Sequence, residues 1–510
     1  MTSSATADTL FDLLAAGAEA APAIGAPGRP WLTHGALRAL AGRTVATLNA
    51  MGIGRGDRVA LVLPNGPEAA AAFVAIGCGA TTAPLNPAYK AEEFEFYLSD
   101  LGACALVIAD GMDSPARKVA AARGIPVVTL KAGDVAGDFT LRPDVAPSDA
   151  AARPGMADAD DLALVLHTSG TTSRPKIVPL RHANVAASAA NVGRSLALTP
   201  DDLCLNVMPL FHIHGLIAAT LASLAAGASV CCTPGFNAFR FFGWLDDIRP
   251  TWVTAVPTMH QAVLPYAERN KDALARGRLR LLRSSSASLP PPVMVALEAA
   301  FGVPVIESYG MTEAAHQMAS NPLPPAARHA GSVGVAAGPE IAVMNAAGAL
   351  LPAGATGEVV IRGRNVTAGY EANPEANVRA FTNGWFRTGD EGWLDEHGYL
   401  RLTGRLKEII NRGGEKVSPL EVDAVLLDHP AVEQAVTFAV PHAKLGEEVA
   451  VAVVLRAGGS IDEAGLRAFA GERLAAFKVP RRVVFLDEIP KGATGKIQRI
   501  GLAARLGLSA

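Results

Sequence analysis

Between residues 30 and about 340, short apolar runs alternate with alanine-rich stretches, and this alternation constrains the fold more than any other feature of the chain. Arg58-Val59-Ala60-Leu61-Val62-Leu63 runs into the turn Pro64-Asn65-Gly66, and Ala105-Leu106-Val107-Ile108-Ala109 repeats the texture. Residues 252–257 and 279–284 continue it. Such runs read as strands buried on both faces, and helical stretches between them make βαβ units with largely parallel sheets. From about 340 short strands at 357–362 and 398–402 alternate with Gly/Asn/Asp turns, which predicts a β-rich subdomain. An α+β segment follows Gly404-Arg405-Leu406-Lys407-Glu408, with helices expected near 419–427 and 462–475 and strands near 432–440, 449–455 and 482–487. The domain boundary is placed at 403–408. The Pro/Asp/Ala-rich stretch 140–161 reads as an exposed linker.

A chain of 510 residues exceeds what one core serves, so more than one domain is expected. Half of it is hydrophobic, which excludes disorder. A net charge of −3 with scattered signs offers no basic face to nucleic acid. Cys78, Cys104, Cys204, Cys231 and Cys232 are odd in number and lack CxxC spacing, which predicts buried thiols in a reducing compartment and no cysteine metal site. Residues 1–21 carry no basic n-region, and Leu508-Ser509-Ala510 spells no peroxisomal or ER address, so a cytoplasmic location is expected. Residues 215–239 are uncharged and long enough to span a bilayer. Their alanine, glycine and serine content, with breaks at Gly227 and Pro234, instead predicts a buried helix near 216–226 and a strand near 228–233, and no membrane span.

One loop points to chemistry. Leu166-His167-Thr168-Ser169-Gly170-Thr171-Thr172-Ser173-Arg174-Pro175-Lys176 follows an apolar strand candidate, and open α/β sheets bind ligands at such strand ends. Hydroxyls, backbone N–H groups and Lys176 are the donors a polyphosphate needs. Gly170 permits positive φ and Pro175 stiffens the exit. No Gly-Lys-Ser/Thr follows, so this is not the usual P-loop, and a Ser/Thr-rich surface turn stays open for the loop alone. In Tyr309-Gly310-Met311-Thr312-Glu313 a carboxylate next to phosphates could hold Mg²⁺, which takes one or two protein carboxylates, while Tyr309 could stack on a base. An ordinary strand-to-helix turn is the alternative. Asp390, closing Trp385-Phe386-Arg387-Thr388-Gly389-Asp390, suits the two hydroxyls of a ribose or sits in a solvent turn. Arg405 is near enough in sequence to reach the same nucleotide, and its segment could be a hinge or a solvated turn. Lys496, in Pro490-Lys491-Gly492-Ala493-Thr494-Gly495-Lys496-Ile497, is either a surface lysine or a mobile one that meets developing negative charge.

In this order and spacing the motifs are specific, and the chain resembles the adenylate-forming superfamily of acyl-CoA synthetases, luciferases and adenylation domains from about residue 30 to 500. Within it the chain is most similar to the oxalate–CoA ligases. Further support comes from Thr82-Ala83-Pro84-Leu85-Asn86, from residues 91–100, from Pro209-Leu210-Phe211-His212-Ile213-His214-Gly215, from Ser320-Asn321-Pro322-Leu323-Pro324 and from Asn411-Arg412-Gly413-Gly414-Glu415-Lys416. The resemblance implies an α/β architecture: a large N-terminal AMP-binding domain (1–403) of two βαβ-type subdomains plus a β-rich one, a hinge at 404–408, and a small mobile α+β domain (409–510). It implies that a carboxylate attacks the α-phosphate of MgATP, giving an acyl-adenylate and pyrophosphate. The small domain then rotates and the thiol of coenzyme A displaces AMP. Thr168, Ser169, Gly170, Thr171, Thr172 and Lys176 match the phosphate loop, and Thr312 and Glu313 the residues for the α-phosphate and Mg²⁺. Asp390 and Arg405 match ribose contacts, Tyr309 and Gly310 lie against adenine, and Lys496 matches the adenylation lysine. Lys407 matches the hinge, and Gly414, Glu415 and Lys416 the face presented during thioester formation. Ile177 stands where the family usually has glycine. A β-branched residue takes positive φ only at a cost, so the loop must leave by an ordinary backbone path.

The stretches expected around the acid are polar. His212 and His214 flank Ile213, Ser284-Ser285-Ser286 follow a strand, and His316 follows Glu313 by three residues. Once one oxalate carboxylate is adenylated the other stays anionic, and burying it without donors would cost several kcal/mol. His212, His214, Ser285, Ser286 and His316 are the candidate donors, with His212 also a catalytic candidate. His212 as a mere gate and His316 as a solvated helix residue are the alternatives. A medium-chain or aryl acid–CoA ligase, or a freestanding adenylation enzyme loading a carrier protein, stays open, although no carrier domain follows residue 510. The expected partners are a small carboxylate, ATP and CoA, in a monomer or homodimer.

Overall fold

The structure is a computed structural model that describes residues 7–144, 150–168, 175–491 and 497–508. Among the described residues the strands form four sheets. In the seven-stranded sheet Arg58–Val62, Thr81–Pro84, Ala105–Ala109, Val127–Ala132 and Leu162–Thr168 run parallel. Antiparallel strands Phe139–Pro143 and Lys176–Arg181 close its two edges. The nine-stranded sheet has a parallel centre of Leu203–Asn206, Ser229–Cys232, Trp252–Ala255, Leu281–Ser285 and Val305–Met311. His316–Ser320 turns back antiparallel beside Val305–Met311. The alanine-rich helix Pro67–Gly77 packs against strands of both sheets and is buried from Ala69 to Gly77. Small side chains on every face let two sheets approach one helix, which accounts for the alanine bias.

An antiparallel sheet follows, built from Glu340–Met344, Gly357–Arg362, Phe381–Thr382, Trp385–Leu394 and Leu400–Arg405. Ile410–Arg412 opens the fourth sheet, centred on the long hairpin Val432–His442 and Gly446–Leu455. Helices Pro419–Leu427 and Glu463–Gly471 cover it, and its two apolar clusters draw only on residues from Ile410 onward.

Three local expectations change. The stretch 140–161 is not all exposed linker, since Phe139–Pro143 is an edge strand on Val127–Ala132. Ala151 and Ala157 are buried and Arg153 pairs with Asp161, while residues 145–149 lie outside the described residues. Here alternating burial along Phe139-Thr140-Leu141-Arg142 outweighs a turn-like composition. The buried segment after Gly215 begins as a π-helix, His214–Leu221, before Ala222–Ala225 and the strand Ser229–Cys232. The strand Val305–Met311 runs on through the motif, so Tyr309 and Gly310 belong to a strand rather than to a turn. No helix of the described residues is long and apolar enough to cross a membrane.

Candidate active site

The hydroxyl-rich loop closes a hairpin between Leu162–Thr168 and Lys176–Arg181, with Thr168 and Lys176 as register partners. Ser169, Gly170, Thr171 and Thr172 lie outside the described residues, as does Lys496. Ile177 pairs with His167, keeps a negative φ and packs with Leu85, Phe94 and Val165. A β-branched residue suits a half-buried strand, so the ordinary exit path holds. His167 braces the strand end, its Nε2 lying 3.0 Å from Asp100 Oδ2 and its ring edge-on to Tyr97 at 4.7 Å.

Lys176 reaches across to the strands of the other sheets. Its Nζ sits 4.3 Å from the centre of the Tyr370 ring, and the Tyr370 hydroxyl donates to Glu313 Oε1 at 2.8 Å. Burial holds the Glu313 carboxyl above its usual range, opposed by the Tyr370 bond and by Arg405 and Lys176. Burial lowers Lys176, while Glu313 raises it and Lys407 lowers it further. Thr312 and Glu313 lie in a single 3₁₀ turn after Met311. Tyr309 packs in an apolar cluster with Met318 and Phe386, and its hydroxyl donates to Asp390. Asp390 and Arg405 face each other across adjacent strands, with Arg405 Nε 3.3 Å from Asp390 Oδ1. Burial pushes Asp390 up and Arg405 opposes it. Gly310 has a steric reason to be glycine, because a Cβ there would lie 1.7 Å from the His316 carbonyl oxygen.

Five strands of three sheets thus converge on one cluster of Thr168, Lys176, Glu313, Tyr370, Tyr309, Asp390 and Arg405. The donor set is cationic at the loop and anionic at Glu313, with buried Asp390 paired to an exposed Arg405 beside it. Glu313, a lone carboxylate with one oxygen on Tyr370, fits an ion that takes most of its ligands from water and phosphate, as Mg²⁺ does. Tyr370 was missed by the sequence reading, since nothing separates Gly369-Tyr370 from any other aromatic beside a turn.

A second cluster lies at the ends of Trp252–Ala255, Leu281–Ser285 and Val305–Met311. His214 heads the π-helix and is fully buried. Its Nε2 is 2.6 Å from Thr254 Oγ1 and its Nδ1 3.1 Å from Ser286 Oγ. The His316 ring stands 5.1 Å from it. His316 is buried at the start of a strand, so the solvated-helix alternative is set aside. Ser286 (φ 75°), Ala315 (φ 48°) and His316 (φ 108°) all hold left-handed backbone that non-glycine residues adopt at a cost. His212 is half-buried and its Nδ1 accepts the His214 backbone N–H at 3.3 Å. Ser285 does not join them: it is fully buried and its hydroxyl donates to the Ser308 carbonyl at 3.0 Å. Arg283 and Thr254 were missed, although an arginine inside a predicted buried strand was a visible signal.

At the chain's crossover, Leu406 N–H donates to Gly389 carbonyl at 2.9 Å, and Glu408 and Ile409 both donate to the Arg405 carbonyl. Lys407 lies in this turn, between the third and fourth sheets. Gly414, Glu415 and Lys416 sit on an exposed hairpin with Gly413 and Gly414 at positive φ. Among the described residues no hydrogen bond or ion pair joins that hairpin to Glu313 or Asp390.

The family described as AMP-binding enzyme matches residues 12–371, and its C-terminal domain family matches residues 421–496. The chain is 48% identical to an oxalate–CoA ligase of Arabidopsis thaliana, over 96% of this chain and 97% of that one. It is 42% identical to an oxalate–CoA ligase of Saccharomyces cerevisiae, over 87% and 86%. The ATP-bound crystal structure of MatB from Rhodopseudomonas palustris superposes with a TM-score of 0.87 at 32% identity, over 98% of this chain and 99% of that one.

Proposed function

The chain belongs to the AMP-binding enzyme family and is an ATP-dependent, AMP-forming acid–CoA ligase; we propose that its acid is oxalate. The observation that carries the choice of acid is the cluster of His214, Ser286 and His316, three polar side chains, two of them (Ser286 and His316) on left-handed backbone. A fatty or aryl acid needs an apolar tunnel, and polar side chains desolvated against it would cost about 1–3 kcal/mol each. A second carboxylate suits a polar lining better. The identity to two oxalate–CoA ligases supports the same reading.

In this account one oxalate oxygen attacks the α-phosphorus of ATP, pyrophosphate leaves, and oxalyl-adenylate forms. Lys176, with Thr168 and the hydroxyls from Ser169 to Thr172, holds the phosphates, and Lys496 meets the charge that develops in the first step. Thr312 contacts the α-phosphate. Asp390 and Arg405 hold the ribose, and Tyr309 and Gly310 form the wall beside adenine. Glu313 would hold Mg²⁺, which neutralises phosphate charge. The turn around Lys407 lets the 409–510 domain rotate, with 1–403 as the fixed body. Gly414, Glu415 and Lys416 then face the site, and the CoA thiol attacks the oxalyl carbon as AMP leaves. The five free cysteines suit a reducing, cytoplasmic setting.

His316→Ala tests the acid assignment. Loss of one donor to a buried carboxylate is worth about 1.5–3 kcal/mol, so KM for oxalate should rise at least about tenfold while KM for ATP moves little. Equal losses for both substrates would contradict a role at the acid.

A further inference from the structure

We propose that Arg283 and Thr254 are positioning residues for the acid, which fix the proton of His214 on Nδ1 and so leave the Ser286 hydroxyl as a donor to the substrate's second carboxylate. The proposal deepens the oxalate reading and rests on it for the identity of that carboxylate.

Arg283 is fully buried, on the face of its strand shared with its register partner Thr254. Among the described residues no carboxylate lies within ion-pair distance of its guanidinium. Buried arginines without an acidic partner are uncommon, because taking the charge out of water is expensive. Burial pulls this guanidinium down to about 9, which leaves it charged at neutral pH. Its neighbours carry no negative charge: Nη1 lies 3.2 Å from Thr254 Oγ1 and 3.4 Å from His214 Nε2, and Nη2 donates to Gln317 Oε1 at 3.2 Å. Nε has no partner. A group needed only to tie strands together would not leave a buried donor unsatisfied.

The hydrogen-bond inventory then sets a direction. A guanidinium only donates, so Thr254 Oγ1 accepts from it. Thr254 has one proton of its own, and the acceptor within reach is His214 Nε2 at 2.6 Å. A ring nitrogen that accepts carries no proton, so the neutral ring keeps its proton on Nδ1 and donates it to Ser286 Oγ at 3.1 Å. Ser286 is then an acceptor on the inner side, and its own proton is committed to no described residue. Its backbone is held at φ 75°, a conformation unusual for serine and the kind of local strain found at ligand sites. The relay Arg283 to Thr254 to His214 to Ser286 thus begins in a buried cation and ends in a partly exposed donor. An anion at that end is the counter-charge that Arg283 lacks.

Two variants of the full-length enzyme test it. Thr254→Val keeps the side chain's shape and removes the hydroxyl, and Arg283→Met removes the cation. Each should lower kcat/KM for oxalate by about tenfold or more, while kcat/KM for acetate, which has no second carboxylate, and KM for ATP stay within about threefold. An unchanged oxalate-to-acetate ratio in Thr254→Val, which is the milder change and guards against misfolding of Arg283→Met, overturns the proposal. A second readout does not depend on the acid. In the full chain labelled with ¹⁵N-histidine, and assigned by the signal lost in His214→Gln, His214 should carry its proton on Nδ1. In Arg283→Met the Nε2–H tautomer should appear, since Thr254 is then able to accept. The same tautomer in both proteins, or Nε2–H in the parent, overturns the relay. If the parent enzyme does not prefer oxalate to acetate, the oxalate reading fails and the tautomer measurement alone decides the wiring.

Discussion

Ser286 and Glu307 are the residues at which local chemistry is most exposed to test. Serine at φ 75° costs of order 1 kcal/mol that glycine does not, so Ser286→Gly should leave the melting temperature unchanged or raise it. Its kcat/KM for the acid should nonetheless fall about tenfold, a combination that loss of folding cannot produce. Thermal melts and acid-dependent kinetics on the same preparation check both halves. Glu307 is buried, its Oε1 accepts the Leu289 N–H at 2.8 Å, and its Oε2 has no partner among the described residues. Burial pushes it up to about 8, so the native protein holds this proton at neutral pH. The unfolded chain releases it near the ordinary glutamate value of 4.5. Between those values the native state binds more protons than the unfolded one, and stability falls as pH rises. Glu307→Gln keeps the acceptor and removes the titration. Denaturant melts should therefore show the variant gaining on the parent from about pH 5 to about pH 8.5, whereas a constant difference would mean that Glu307 is ionised.

At the scale of elements, the strand Val305–Met311 and its return strand His316–Ser320 set the distance between the cluster around Glu313 and Asp390 and the cluster around His214. Their register shifts at Tyr309 and Gly310, and Gly310 permits the close approach of the His316 carbonyl. A Cβ 1.7 Å from that oxygen must push the strands apart, so Gly310→Ala should destabilise the protein by about 3 kcal/mol and displace His316. Urea unfolding together with KM for the acid checks it, and a stable variant with normal kinetics would deny the contact. Much of this element scale was legible. The apolar runs at 105–109 and 357–362 are strands to the residue, and the helix at 419–427 is exact. The π-helical winding of His214–Leu221 was not, because a segment buried on every face carries no amphipathic stripe to reveal its period. Arg283 stood in plain view inside a strand, but its neighbours Thr254, Gln317 and His214 are 29, 34 and 69 residues away. Only the sheet register brings them together.

Over the whole molecule, the parallel sheets and the antiparallel sheet supply the two halves of the Lys176–Asp390 cluster. Lys176 comes from one sheet, Glu313 from the 3₁₀ turn between two strands of another, and Asp390 with Arg405 from the third. The order of these residues along the chain was readable because each sits in a distinctive turn or strand end. Tyr370 was not, since its link to Glu313 and Lys176 exists only once three sheets meet. Arg405 ends the third sheet and Ile410 begins the fourth, so a handful of residues links the adenylating cluster to the part of the chain assigned to thioester formation. That division lets the first half-reaction be measured alone. Carboxylate-dependent exchange of labelled pyrophosphate into ATP, run without CoA over oxalate, malonate, acetate, octanoate and 4-coumarate, reports which acid the cluster of His214, Ser286 and His316 admits. Adding CoA then reports the thioester. The account predicts that oxalate gives the highest exchange kcat/KM and yields a CoA thioester, with octanoate and coumarate far behind. Faster exchange with either of those two acids than with oxalate would contradict it.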